Sequence, residues 1–343
     1  MLGYILRRLL IAIPQMFLIL IVTFVLIRLL PGDPARLQLG PLAPQAGVDA
    51  LRQEMHLNDS MPAQFLVYLD HLSHGDLGNS WVNHTSVSSD LAERLPATLE
   101  LISLGLLLIL LVMIPLGVVT ASRGGGLITR SLKRLANIYG LLAGAIPDFW
   151  LGLLLIFIFF STLGVAPGPE GRLAIGSIPP PHVTGMYTVD SLLSLDFATF
   201  MDALAHLFLP VVTLAFVYGA VIYKTTWTAM SAALRNNYTT YAEAIGLPRW
   251  RVLWYAFKSA APPVVVMTGV ISGYLLGGAV LIETVFNLNG IGQYAVQSVV
   301  SSDYSPIQGF VLIAALFTML VYLVVDVIYV ATDPRVRVRG RGV

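Results

Sequence analysis

Apolar residues along this chain gather in long, nearly unbroken runs, unlike the alternating or one-faced patterns of a soluble core. Runs of about 20 residues, enough to cross roughly 30 Å of hydrocarbon at 1.5 Å per residue, lie near 9–30, 98–121, 136–164, 206–227, 263–284 and 308–331. The pattern predicts an all-α integral membrane protein with six transmembrane helices and both termini on one side. Met1 to Arg8 imitates the basic start of a signal peptide. The run behind it continues to about Leu30, too long for a signal core, and no small-residue cleavage site follows, so it is kept as a spanning helix. The chain divides into residues 1–97, the first span with an outer segment, and residues 98–343. The second part is a core of five spans with a loop at 228–262 and a tail at 332–343.

The polar stretches carry the rest of the pattern. Within 31–97, Ser60 is a helix N-cap candidate, Pro62 sits in the first turn and Gly75 terminates the helix. Phe65, Leu66, Leu69 and Leu72 recur at helical spacing there, so this helix lies on the membrane surface or packs on the bundle, as a structural cap or as a docking surface. Residues 165–185, with Pro179, Pro180 and Pro181, form an irregular loop with no assigned chemistry. Residues 238–263, YTTYAEAIGLPRWRVLWYAFKSAAPP, predict two short helices. Tyr238, Tyr241, Ala242 and Ile245 make one apolar face, Gly246 ends that helix in the left-handed conformation, and Pro248 opens the next. Trp250, Leu253, Trp254 and Phe257 line the second helix before Pro262 and Pro263 introduce the fifth span. Such an elbow transmits force to a partner, or it is an interfacial connection with none.

Charge gives the runs a direction. Only 11% of the 343 residues are charged and 56% are hydrophobic, against about 25% charged in soluble chains. Of 20 basic residues, 15 fall on the side of the termini, namely Arg7, Arg8, Arg123, Arg130, Lys133, Arg134, Lys224, Arg235, Arg249, Arg251, Lys258, Arg335, Arg337, Arg339 and Arg341. Arg28, Arg36, Arg52, Arg94 and Arg172 fall opposite. Positive residues stay in the cytoplasm, so the termini and the 228–262 loop are expected there, with 31–97 and 165–205 outside. The net charge of +1, without a basic stripe, gives no reason to expect nucleic acid. The absence of cysteine excludes disulfides and thiolate sites.

Few residues inside the spans suggest chemistry. Gly269, Gly273 and Gly277, four apart, share a helix face that serves close packing or lines a path. Asp148, beside Pro147, is expected near the middle of the third span, where an ionised carboxylate is costly. It faces a translocation path or neutralises a cation, or it is a structural pair or a protonated, bundle-facing acid. Glu283 and Asp326 are placed near helix ends, relieved by snorkelling or hydration. His71 and His74 lack a third ligand nearby, so no metal is expected. His206 is the one histidine near the membrane interior, too little for an intramembrane enzyme.

The 238–263 stretch resembles the coupling loop of ATP-binding-cassette importer permeases, in which a Glu-Ala-Ala-like triplet is followed by a Gly and a later Pro. Here the match is Ala242, Glu243, Ala244, Gly246 and Pro262 or Pro263. Across nearly its whole length the chain is similar to the dipeptide and oligopeptide permeases of type I importers. The blocks are RRLLIAIPQMFLILIVTFVLIRLLPGDP, GDLGNS at 75–80, ATLEL at 97–101, LLGGAVLIETVF at 275–286 and DVIYVATDPRVR at 326–337. It departs at Asn289-Gly290, where that family usually has Pro-Gly, and at Ser302-Asp303-Tyr304, where Arg-Asp-Tyr is common. The resemblance implies a non-catalytic permease in a bacterial or archaeal plasma (inner) membrane, with Tyr241, Ala242, Glu243, Ala244, Ile245, Gly246 and Leu247 as the ATPase-coupling residues and Asp148, Gly269, Gly273 and Gly277 along the path. It implies a second homologous permease subunit, two cytoplasmic ATP-binding subunits and an external solute-binding protein as partners, in membrane lipid. ATP and Mg are used by the ATPases and no cofactor is bound by this chain. The sequence agrees, since a P-loop needs Gly-Lys and Lys133, Lys224 and Lys258 each follow another residue. Peptides are the expected cargo. A self-contained secondary transporter or channel would instead predict inverted repeats, discontinuous spans or an acidic relay within one chain; no internal repeat is visible, and six spans are few for a full transporter.

Overall fold

The computed structural model describes residues 2–29, 33–40, 42–122 and 127–332. Arg123 and residues 333–343 of the expected tail, with its four arginines, lie outside the described residues, as does the side chain of Arg7. Among the described residues regular structure is helical throughout, apart from one isolated bridge between Asn79 and Ser86. Five helices contain segments long and apolar enough to cross a membrane: α1 (Leu2–Arg28), α5 (Val87–Ala121), α9 (Phe197–Ala233), α11 (Arg249–Phe286) and α13 (Tyr304–Thr332). Smaller helices are α2 (Pro34–Leu39), α3 (Gln45–Glu54), α4 (Met61–Ser73), α6 (Leu127–Leu142), α7 (Asp148–Leu155), α8 (Tyr187–Leu193), α10 (Asn237–Ala244) and α12 (Ile291–Val300).

The run at 136–164 is not one helix, which corrects the expectation of a continuous third span. It breaks between Leu142 and Asp148, then continues as eight α-helical residues and the seven-residue π-helix Ile156–Thr162. The cause is local: Pro147 donates no backbone hydrogen bond and disfavours helical geometry at Ile146. The apolar piece after the break covers about 22 Å, short of a bilayer core.

The second correction concerns Pro262 and Pro263. They do not separate a short helix from the fifth span but lie inside α11, which runs unbroken for 38 residues. The helix survives the two missing donors because its neighbours hold it, with Val252, Ala256, Ala260 and Val264 buried on one face. The centre of the bundle is the contact of α5, α9 and α11, where Leu101, Leu214, Ile222, Leu275 and Ile282 are fully enclosed. Lipid tails are as apolar as these side chains, so close van der Waals fit holds the helices together.

The segment between α1 and α5 covers the end of α1. Asp33 accepts from the Ala35 N–H at the start of α2 and pairs with Arg52 at 2.7 Å. Helix α4 packs on the bundle, because Phe65 meets Phe17 and Phe24 edge-on at 5.8 and 5.2 Å and the buried Gln64 accepts from Arg28 Nε at 2.8 Å. Ser60 precedes α4 with no side-chain cap bond, and Gly75 ends the segment at φ +77°.

Candidate functional site

The elbow is built by backbone bonds. After α10, the Leu247 N–H donates to Ala242 O at 3.1 Å and the Gly246 N–H to Glu243 O at 3.0 Å. This is a Schellman closure, which requires a left-handed residue, and Gly246 supplies it at φ +78°. Pro248 then caps α11, accepting from the Arg251 N–H at 2.9 Å. Of the apolar face expected at Tyr238, Tyr241, Ala242 and Ile245, only Ala242 is buried. Helix α10 is seated by Thr239, whose hydroxyl donates to Ala233 O at 3.0 Å, and by Ala242. Tyr241 stays 67% exposed and Ile245 57%, with Glu243, Ala244 and Trp250 exposed beside them and Leu247 half-buried. The small residues Thr239 and Ala242 face inward, where α10 packs against α11. The aromatic and aliphatic side chains therefore form an open patch.

Asp148 is not in the middle of a helix. It is the first residue of α7, where free N–H groups favour a carboxylate, and its Oδ1 accepts from the Phe149 N–H at 2.8 Å. Its Oδ2 accepts from the Tyr218 hydroxyl at 3.0 Å, tying the break to α9. The glycine stripe of α11 faces α13 at two positions. A Cβ at Gly269 would meet Val325 at 2.7 Å and one at Gly273 would lie 3.6 Å from Tyr322, while Gly277 has open space. The structure thus brings Gly269 and Gly273 to a helix contact and leaves Gly277 apart.

The helix ends opposite the elbow form a polar layer that sequence reasoning largely missed. Glu283 is fully enclosed, which corrects the expectation of hydration. It accepts from Thr98 Oγ1 at 2.5 Å and from the Gln293 N–H at 3.0 Å. Glu100, also buried, accepts from the Thr188 N–H and hydroxyl at 2.6 Å each and lies 3.4 Å from Arg172. Arg172 stacks 3.6 Å from the centre of the Tyr187 ring. Asp90 accepts from Thr85, Asn83 and Tyr294. The irregular 165–185 loop is tied down by Asp190. Burial pushes the Asp190 carboxyl up, but the Thr184 hydroxyl and the N–H groups of Thr184, Gly185 and Val183 outweigh it and hold the carboxyl below the usual range. One signal was available: Glu100 is a carboxylate inside an apolar run.

The Asn289 departure has a physical basis. Asn289 sits at φ +58° and its N–H donates to Gln293 Oε1 at 2.7 Å. Proline can adopt neither that φ nor that bond, and the Asn289 side chain also accepts from Arg94. Asp326, at the other end, pairs with Arg8 at 2.7 Å. His71 and His74 are exposed next to Asp76 and Asp70. No group of three or more metal-ligating side chains occurs among the described residues.

Comparison with known proteins adds identity to this geometry. Residues 113–338 match the family model described as binding-protein-dependent transport system inner membrane component, and residues 1–102 match the N-terminal model of the same systems. The chain is 41% identical over 323 residues to the probable D,D-dipeptide transport system permease protein DdpB of Escherichia coli K12, covering 94% of this chain and 93% of the relative. It is 37% identical to the di/tripeptide transport system permease protein DppB of Pseudomonas aeruginosa UCBPP-PA14, covering 98% and 99%. It is 33% identical, with the same coverage, to the glutathione transport system permease protein GsiC of Salmonella typhimurium LT2. With both family models matched in order along one chain of apolar helices, this protein belongs to the inner-membrane permease components of binding-protein-dependent transport systems.

Proposed function

We propose that this chain is the permease subunit of an ATP-driven importer, forming half of the path for di- or oligopeptides delivered by an external solute-binding protein. The observation that carries it is similarity over nearly the full length to permeases of dipeptide and tripeptide systems. A second, homologous permease supplies the other half, and two cytoplasmic ATPases using ATP and Mg drive the cycle. This chain binds no cofactor of its own.

Six crossings are supported by which ends meet. The Arg8–Asp326 pair sets the start of α1 beside the end of α13, which supports an even number of crossings. The starts of α5 and α9 share the polar layer through Glu100, Thr188 and the Ala174–Asp202 bond, and their ends pack together through Val118, Ala121, Met230 and Ala233. This favours a return of the chain across the bundle between them, with α6 and α7 together as the third crossing. The basic residues Arg8, Lys133 and Arg249 gather at the elbow end, which supports a cytoplasmic position for it and for both termini. There the open Tyr241 and Ile245 patch is the surface that an ATPase groove covers, and the closing ATPase pair moves it as a rigid lever.

Reconstitution tests this reading. Liposomes holding the full complex are expected to take up peptide only with ATP inside and binding protein outside, and liposomes holding this chain alone to take up none. Uptake by the single chain without nucleotide would identify a self-contained transporter and overturn the proposal. In the same liposomes Asp148→Ala is expected to slow uptake several-fold, because Asp148 and Tyr218 pin the break that lets the third crossing bend beside the path. Unchanged uptake would remove Asp148 from the path.

A further inference from the structure

We infer that a cavity at the outer polar layer is a docking pocket for a Lys or Arg side chain of the external solute-binding protein, with Asp303 as its counter-ion. The inference rests on the importer reading above. The cavity, of about 370 Å³, lies between residues 80–83 and α12, and Asp303 contributes to its wall. Asp303 is 2% exposed. Its Oδ2 accepts from Ser80 Oγ at 2.6 Å and from the Val82 N–H at 3.4 Å, while its Oδ1 has no partner. Nor does any Lys, Arg or His among the described residues form an ion pair with it. Asp90 is differently placed, with three side-chain donors around it and Arg94 near enough to favour its charge. A buried carboxylate with an idle oxygen and no cation is costly, and a cation arriving from outside removes that cost.

The walls say which cation. Val82, Val296 and Val300 line the cavity together with Asn83, Tyr294 and Gln297, and Val300 is 82% exposed. Aliphatic walls above a single carboxylate suit a long methylene stem carrying one charged head, which describes Lys and Arg. A divalent metal would need several oxygen ligands. A free peptide would bring a carboxylate for which the lining has no positive partner. Exposed valines around a buried charge also make a protein contact, in which a charged anchor sits inside an apolar ring.

The test uses the assembled complex in lipid nanodiscs and its own external binding protein, with docking affinity as the readout. Asp303→Asn keeps the size and the bonds from Ser80 and Val82 but removes the charge. It is expected to weaken docking about tenfold or more, without lowering the thermal midpoint of the complex alone, because a buried charge has been relieved. Free arginine amide is expected to compete with docking to the unaltered complex, and citrulline amide, which differs in having an uncharged side chain, is not. Docking at full affinity by Asp303→Asn would overturn the inference. Should that variant fail to assemble, Val300→Trp at the exposed rim decides: blocked docking supports the pocket and full affinity overturns it. A wild-type complex that does not dock its binding protein at all would overturn the importer reading itself, and the pocket with it.

Discussion

Gly246→Val is expected to insert and assemble normally, to leave ATP hydrolysis by the partner ATPases in place, and to lower coupled uptake by about 10- to 100-fold. The substitution isolates one variable. A Cβ at Gly246 would meet nothing within 4 Å, so valine collides with no neighbour. The conflict is with the backbone, since Gly246 holds φ +78° and a β-branched residue there costs on the order of 1–3 kcal/mol. At about 1.4 kcal/mol per tenfold, that is enough to depopulate the Schellman closure between α10 and α11. The Leu247-to-Ala242 bond then opens and the Tyr241 and Ile245 patch swings away from the axis of α11. On the proposed mechanism α11, continuous from Arg249 to Phe286, would carry a push at the elbow to the polar layer as a single rod, and a loosened elbow would lose that leverage. Gly246→Asn, which tolerates a left-handed backbone, is expected to keep most of the coupling. The measurement is peptide taken up per ATP hydrolysed, and a normal ratio in Gly246→Val would sink the lever.

Apolar run length located the long helices because crossing hydrocarbon is a demand that each segment meets alone. It overlooked the break at Pro147, where one local residue outweighs the run, and it placed a boundary at Pro262 and Pro263, where packing of Ala256 and Ala260 outweighs the local residues. The Gly246 elbow was legible for the opposite reason: its geometry depends on one residue and its immediate neighbours. The polar layer was not, since Thr98 meets Glu283 across 185 residues and Ser80 meets Asp303 across 223. Nothing in the local pattern around Asp303 marks it as enclosed, whereas Glu283 sits within an apolar run whose end was mistaken for a watered surface.

Glu283→Ala is expected to be the most damaging single substitution in that layer, costing the assembled complex about 3–5 kcal/mol of stability. Four pieces of chain converge on this carboxylate. It lies in the last turn of α11, accepts from Thr98 on α5 and from the Gln293 N–H at the start of α12, and Thr98 in turn accepts from the Ile291 N–H at 3.0 Å. The turn between them is folded against it, since a Cβ on Gly290 would stand 2.4 Å from the Glu283 carboxyl carbon. Alanine leaves the Gln293 N–H and the Thr98 hydroxyl without their acceptor, at about 1–3 kcal/mol for each buried group, and leaves a cavity besides. Glu283→Gln separates hydrogen bonding from volume. Its amide oxygen can still accept from Thr98, but its amide nitrogen would face the Gln293 N–H donor to donor, so an intermediate loss of about 1–2 kcal/mol is expected. Thermal midpoints of the purified complex should fall in the order wild type, Gln, Ala, and an Ala variant with the wild-type midpoint would remove Glu283 as the tie between α5, α11 and α12.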